Sequence, residues 1–197
     1  MEQYFSREPS SAHHLQDVSF ELAGRAFHMQ TDAGVFSRDG VDYGTALMHG
    51  CLPELSGRVL DLGCGWGALS LPLAAVHAPE GLVCADVNLR ALELCRQNAK
   101  ALGVKAQVLE SDGFSDVQGM FSMIITNPPI RAGKAVYYPW FQQSFDHLLP
   151  GGFFACVVQK KQGAPSIRKE LERVFGTCEE LDRGRGYWVL AARKELS

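Results

Sequence analysis

Apolar and polar positions divide the chain into an irregular lead-in and a long alternating body. In the lead-in, Phe20–Met29 alternates in polarity around Gly24, the mark of a β-hairpin. Thr31–Gly40 is dense in turn residues, and Asp42–Leu52 reads as a helix with Pro53 just beyond it. From Arg58 strands and helices alternate. Apolar runs at Arg58–Leu62, Leu82–Asp86, Ala106–Leu109, Phe121–Thr126 and Phe153–Val158 predict five strands. The fourth is apolar on both faces, as a central parallel strand is. Helical segments are predicted at Ala68–His77, Leu89–Leu102, Tyr138–Leu149 and Ser166–Phe175. Asn88 is placed to cap the second of these and Gly103 to stop it. Pro150-Gly151-Gly152 ends the third, and Pro72 falls early in the first. The last two strands, Cys178–Asp182 and Tyr187–Ala192, are joined only by Arg183-Gly184-Arg185-Gly186. That link is too short for a helical crossover, so the pair is predicted antiparallel.

Composition narrows the class. With 197 residues, 46% hydrophobic and 21% charged, the chain suits a single globular domain over 1–197, with a lead-in at 1–57 and a core at 58–197. No apolar run approaches the roughly 18 residues of a membrane span. The start, Met1–Ser10, is polar and lacks the order of a signal peptide, which predicts a cytoplasmic protein. Six cysteines include no C-x-x-C pair and sit in apolar patterns, so they are expected to be buried thiols. His13-His14 has no third ligand at helical spacing, and no metal is expected. A net charge of −3 argues against a protein that grips nucleic acid by bulk charge alone, and leaves room for a local basic lip.

The candidate chemistry lies where strands end. Asp61-Leu62-Gly63-Cys64-Gly65-Trp66-Gly67 follows the first strand of the body and precedes a helix. Glycines there let the backbone turn tightly and approach a ligand, in the crevice where doubly wound sheets bind. Asp86 ends the second strand, 23 residues after Gly63, where an acid can accept from both hydroxyls of a ribose. Ser111-Asp112-Gly113 follows the third strand, and Asp112 can accept from an adenine amino group. The spacing Gly63, Gly65, Ala68 also fits a dinucleotide fingerprint. Asp61 weighs against it, since a carboxylate in the turn repels a pyrophosphate and suits the ammonium of a methionine moiety.

Asn127-Pro128-Pro129-Ile130 follows the fourth strand and is the sharpest signal in the chain. Two prolines remove two backbone donors, so the backbone there offers carbonyls. An aromatic amino group needs such acceptors, because its lone pair is delocalised into the ring. The Asn127 side-chain oxygen and the Pro128 carbonyl can hold both amine hydrogens and turn the lone pair toward a methyl donor. Arg131, Lys134, Lys160 and Lys161 lie just past strand ends and would meet phosphates around such a pocket. Arg168, Lys169 and Arg173, interspersed with Glu170 and Glu172, read as plain surface.

The glycine turn, Asp86, Asp112-Gly113 and Asn127-Pro128-Pro129-Ile130 together resemble the class I methyltransferases that act on amino groups. More narrowly, the chain from about Phe20 resembles the catalytic domain of the RsmC-like small-subunit ribosomal RNA guanine-N2 methyltransferases. The resemblance runs through Asp32-Ala33-Gly34-Val35-Phe36-Ser37, the glycine turn, Asn127 to Lys134, and Gln159-Lys160-Lys161-Gln162-Gly163-Ala164. It implies a Rossmann-like α/β fold, a seven-stranded mostly parallel sheet with an antiparallel C-terminal hairpin, and an N-terminal hairpin and helix extension covering the cofactor. The implied cofactor is S-adenosyl-L-methionine, and the implied substrate is guanine N2 in 16S ribosomal RNA or the small ribosomal subunit. Phe36 and Ser37 are implied over the methionine end. Gly63, Cys64, Gly65 and Gly67 join Asp61 in the turn; Val87 and Asn88 join Asp86; Asp112, Gly113 and Asn127 complete the cofactor set. Asn127, Pro128 and Pro129 are the catalytic set, and Ile130, Arg131, Lys134, Lys160 and Lys161 face the substrate. Ile130 stands where many amino methyltransferases carry a stacking ring, so the base is expected against Phe36, Tyr137, Tyr138 or Trp140. Larger members of the family carry a second, degenerate domain with no counterpart in this sequence, so substrate contacts made there are expected to be absent or to come from elsewhere. Adenine N6, a protein glutamine or a small amine remain alternative acceptors on the residues alone.

Overall fold

The computed structural model describes residues 7–196, so residues 1–6 of the polar start lie outside them. Strands β1 (Gln16–Leu22) and β2 (Arg25–Thr31) form an antiparallel hairpin, longer at both ends than the alternation predicts. Its two-residue turn, Ala23-Gly24, holds both residues at positive φ, 51° and 71°, as a twisted hairpin requires. Helix α1 (Tyr43–Cys51) starts at Asp42, whose carboxylate accepts from the Gly44 and Thr45 amides.

The body follows as β3 (Arg58–Leu62), α2 (Ser70–His77), β4 (Gly81–Asp86), α3 (Leu89–Leu102), β5 (Gln107–Glu110) and β6 (Phe121–Thr126). It continues with α4 (Lys134–His147), β7 (Leu148–Gln159), α5 (Ala164–Phe175), β8 (Glu179–Gly184) and β9 (Tyr187–Arg193). Pro72 falls in the first turn of α2, where its missing N–H has no partner to lose. Asn88 caps α3 by accepting from the Ala91 amide at 3.1 Å, and Gly103 ends it in the left-handed conformation.

Seven strands form one sheet in the order β5-β4-β3-β6-β7-β9-β8. Pairs from β5 to β7 are parallel, and β7–β9 and β8–β9 are antiparallel. One face is covered by the hairpin, α1, α2 and α3, with Val59, Leu71 and Leu92 in its core. The other is covered by α4 and α5, with Leu60, Phe141 and Leu171 in its core. The chain runs outward from β3 to β5, then returns to β6 on the other side of β3. That reversal opens a crevice at the carboxyl ends of β3 and β6.

Within the body, two boundaries differ most from the sequence expectation. α4 begins at Lys134 and carries Pro139 inside it, at the cost of one backbone hydrogen bond. β7 begins at Leu148, ahead of the Pro150-Gly151-Gly152 break. Leu148 pairs with Phe121 and Phe153 with Met123, so the three breaker residues are absorbed as a bulge. The Gly151 amide also donates to the Lys194 carbonyl, and the Lys194 amide to the Gly152 carbonyl, both at 2.9 Å. Among the described residues no helix is long and apolar enough to cross a membrane, and no group of His, Cys, Asp or Glu is arranged to hold a metal.

Candidate active site

A cleft of about 600 Å³ opens at the carboxyl ends of β3, β4, β6 and β7. The glycine turn forms its floor. Gly63, Gly65 and Gly67 have φ of 72°, 54° and 88°, which side-chain-bearing residues rarely adopt. Gly63 and Gly65 line the cleft. Gly67 does not: a Cβ there would stand 2.3 Å from Leu71, so this glycine serves the close approach of α2.

Asp61 is 1% exposed, lines the cleft, and neither of its oxygens has a hydrogen-bond partner. Burial pushes its carboxyl well above the usual carboxylate range; Cys84 adds to this, Ser70 nearby opposes it, and Asp86 adds a little more. An unpaired buried acceptor costs about 1–3 kcal/mol, which a cationic donor entering the cleft would recover. Asp86 is wired differently. Its oxygens accept from the Gly65 amide at 2.8 Å and the Asn88 amide at 2.9 Å, which fixes the turn. Burial raises its pKa, and these amides offset part of the rise. Cys64, Val87, Asp112 and Gly113 also line the cleft. Asn88 does not: it is 1% exposed, caps α3, and donates to the Gly34 carbonyl at 3.0 Å. Its place is behind the wall, as an anchor for the loop above.

That loop, residues 32–40, covers the cleft with Phe36 and Ser37 on its lining. The Trp66 indole donates to the Phe36 carbonyl at 3.0 Å, and Arg90 donates to the Ala33 carbonyl at 2.7 Å. The Ser37 hydroxyl closes the loop on the Gly40 carbonyl.

At the far end, the Thr126 hydroxyl donates to the Leu62 carbonyl at 2.6 Å and ties the tip of β6 to the glycine turn. Asn127 therefore stands beside that turn, and Pro128, Pro129, Ile130 and Arg131 line the cleft with it. The Asn127 amide nitrogen faces Asp42 at 3.4 and 3.5 Å and the Thr45 hydroxyl at 3.3 Å. With its donor end occupied there, the side-chain oxygen is left as the free acceptor. The Pro128 carbonyl accepts from the Ile130 amide at 2.8 Å in a tight turn centred on Pro129, which uses one of its two lone pairs.

Of the four candidate stacking rings, Phe36 is 38% exposed at the mouth and Trp140 lines the cleft. The Trp140 indole lies against Gly113 and Gly63, which sets it at the glycine-turn end. Tyr137 is buried in the core under α4, and Tyr138 packs beside it; neither lines the cleft. Lys134, Lys160 and Lys161 stand off the lining. The Lys134 ammonium sits 5.2 Å from the Tyr138 ring, and the other two are exposed on the short turn after β7.

Sequence reasoning passed over Asp42, Thr45, Gln159, Gln162 and Tyr187 as site residues, and all five line the cleft. Asp42 reads as a helix cap, which it also is. Gln159 ends a parallel strand, and that position was the available signal.

A Rossmann-like sheet with a glycine turn and an Asn-Pro-Pro tip at its carboxyl edge defines a class I, S-adenosylmethionine-dependent methyltransferase. The chain belongs to the methyltransferase small domain family, whose model matches residues 26–191. It is 40% identical to the uncharacterized protein YbxB of Bacillus subtilis over 98% of each chain. It is 48% identical to ribosomal RNA small subunit methyltransferase C of Citrobacter koseri over 77% of this chain and 45% of that one. Among solved structures, the T. thermophilus 16S rRNA N2 guanine methyltransferase, RsmC, in complex with AdoMet and guanosine, superposes with a TM-score of 0.79 at 31% identity. The match covers 92% of this chain and 51% of that one, so the chain spans about half the length of its RsmC relatives.

Proposed function

We propose that the protein methylates the exocyclic N2 amino group of a guanine in 16S ribosomal RNA. The observation that carries the reaction is the acceptor pair at Asn127 and Pro128, in one cleft with the unpaired carboxylate of Asp61. Guanine and the small subunit are supported by the RsmC relatives, which share the catalytic half.

When bound, S-adenosylmethionine supplies an electrophilic methyl group on a cationic sulfur. Asp61 would hold its ammonium and Asp86 its ribose hydroxyls. Asp112 and Gly113, backed by Trp140, hold the adenine, and the loop bearing Phe36 and Ser37 keeps water from the methionine end. The target base leaves its stack and enters beside Ile130, with Phe36 against its face. The Asn127 oxygen and the Pro128 carbonyl accept the two amine hydrogens, so the nitrogen becomes pyramidal and its lone pair points along the line of attack. The methylated nitrogen is acidic enough to lose its extra proton to water, so no general base is needed. Arg131, Lys134, Lys160 and Lys161 position phosphates at the rim. A net charge of −3 makes bare RNA a weak ligand and favours a folded RNA or subunit surface that supplies shape.

The test incubates the protein with radiolabelled donor and small subunits from cells lacking it, then digests the RNA to nucleosides. Label is expected in N2-methylguanosine. Label confined to N6-methyladenosine or to protein would sink the proposal.

A further inference from the structure

Among the described residues, four side chains hold buried polar atoms with no hydrogen-bond partner: Thr31, Asp61, Ser144 and Gln159. The hydroxyls of Thr31 and Ser144 lie away from the cleft, whereas Asp61 and Gln159 line it. The sheet order sets the two apart. Asp61 is on β3 at the glycine turn; β6 with Asn127 comes next; β7, ending at Gln159, lies one strand further out. Gln159 is thus one strand beyond Asn127, on the side away from the glycine turn.

Its orientation is fixed. The Gln159 amide nitrogen donates to the Tyr187 hydroxyl at 2.5 Å, from the neighbouring strand β9, where Gln159 and Tyr187 are register partners. That leaves the side-chain oxygen as an acceptor awaiting a donor. Guanine and adenine differ at this point. Beside the guanine N2 amine stands N1–H, a donor; beside the adenine N6 amine stands N1 as a bare lone pair. An acceptor next to the amine grip pairs with the first and is repelled by the second.

We infer that Gln159, held by Tyr187, is the residue that selects guanine, by accepting a hydrogen bond from N1–H while Asn127 and Pro128 hold N2. This rests on the guanine reading above.

Guanosine and 2-aminopurine riboside separate the contributions. Both carry an amino group at C2, and only guanosine has N1–H. The affinity of each is measured by titration calorimetry on protein saturated with S-adenosylhomocysteine, for the unaltered chain, Gln159→Ala and Tyr187→Phe, with melting temperatures alongside. The unaltered chain is expected to prefer guanosine by about tenfold. Gln159→Ala is expected to abolish the preference and Tyr187→Phe, which frees the amide to turn over, to narrow it. Equal affinities in the unaltered chain, binding of neither nucleoside, or a preference that survives Gln159→Ala would overturn the inference. If Gln159→Ala fails to fold, an undiminished preference in Tyr187→Phe overturns it. N2-methylguanosine formed in subunits without any nucleoside preference sinks this inference and leaves the function. A preference that depends on Gln159, with no methylated guanine in RNA, supports the inference and sinks the RNA reaction.

Discussion

The two ends of the cleft are built by different means. The glycine-turn end is made of backbone and carboxylates from short contiguous stretches, Asp61–Gly65, Asp86–Val87 and Asp112–Gly113, each placed by the strand before it. The Asn127 end is made of side chains from four distant segments, held in two hydrogen-bonded groups: Asn127 with Asp42 and Thr45, and Gln159 with Tyr187. Both ends keep one buried acceptor unpaired, Asp61 and Gln159 respectively. On the proposed function, donor binding depends on local geometry, whereas acceptor positioning depends on the whole fold being in place. Changes at one end should therefore leave the other working.

The largest effect expected is from Asn127→Ala, which removes one grip on the amine. Turnover should fall by about 100- to 1000-fold, while the dissociation constant for S-adenosylhomocysteine, measured by calorimetry, stays close to that of the unaltered chain. A parallel collapse of donor affinity would show that the two ends are one unit.

Asp61→Asn should act at the other end alone, weakening donor binding by roughly 10- to 100-fold. It should also raise the melting temperature of the ligand-free protein. Burial holds the folded Asp61 pKa above its unfolded value, so the folded state keeps its proton longer. The unaltered chain then loses stability as pH rises from the ordinary carboxylate range toward the raised value. The gap in favour of Asp61→Asn is expected to widen over that window and to vanish in acid. A gap that shrinks with rising pH contradicts the assignment.

Asp42 tests whether the Asn127 end needs its support. Asp42→Asn keeps a good helix cap, so the melting temperature should hold, yet it no longer presents only acceptors to the Asn127 amide. We expect kcat to fall about tenfold with donor KM unchanged, whereas Asp42→Ala should add about 1 kcal/mol of lost capping to the same defect. Equal kcat for Asp42→Asn and the unaltered chain would assign Asp42 to the cap alone. The smallest effect is expected from Trp66→Phe, which drops the indole bond to the Phe36 carbonyl. Donor affinity should weaken by about two- to fivefold through a looser loop, with kcat at saturation retained.

The sequence made the glycine-turn end legible because its chemistry is local. Asp61, Gly63, Gly65, Asp86, Asp112 and Asn127 each lie within three residues of the end of an apolar run, and a strand end is visible in one dimension. What escaped was set by tertiary contacts. Gly67 and Asn88 look like members of the same motif, yet α2 packing claims the first and the loop carbonyl of Gly34 claims the second. Lys134 reads as a pocket cation until Tyr138 is seen under it. Asp42 and Tyr187 lie 85 and 60 residues from Asn127, and no spacing rule joins them. The early start of β7 was hidden for a related reason: Pro150-Gly151-Gly152 looks like a terminator, and only pairing with β6 and the Lys194 segment lets the strand run through it.

The placement of β9 between β7 and β8 carries a consequence for biosynthesis. A nascent chain that has emerged only through β8 already holds every residue of the glycine turn and Asn127. It leaves β7 with an open edge, and Gln159 has nothing to lean on until Tyr187, the first residue of β9, arrives. The glycine turn can thus be assembled early in translation, whereas the Gln159–Tyr187 pair is completed only when β9 slides in and zips the sheet shut.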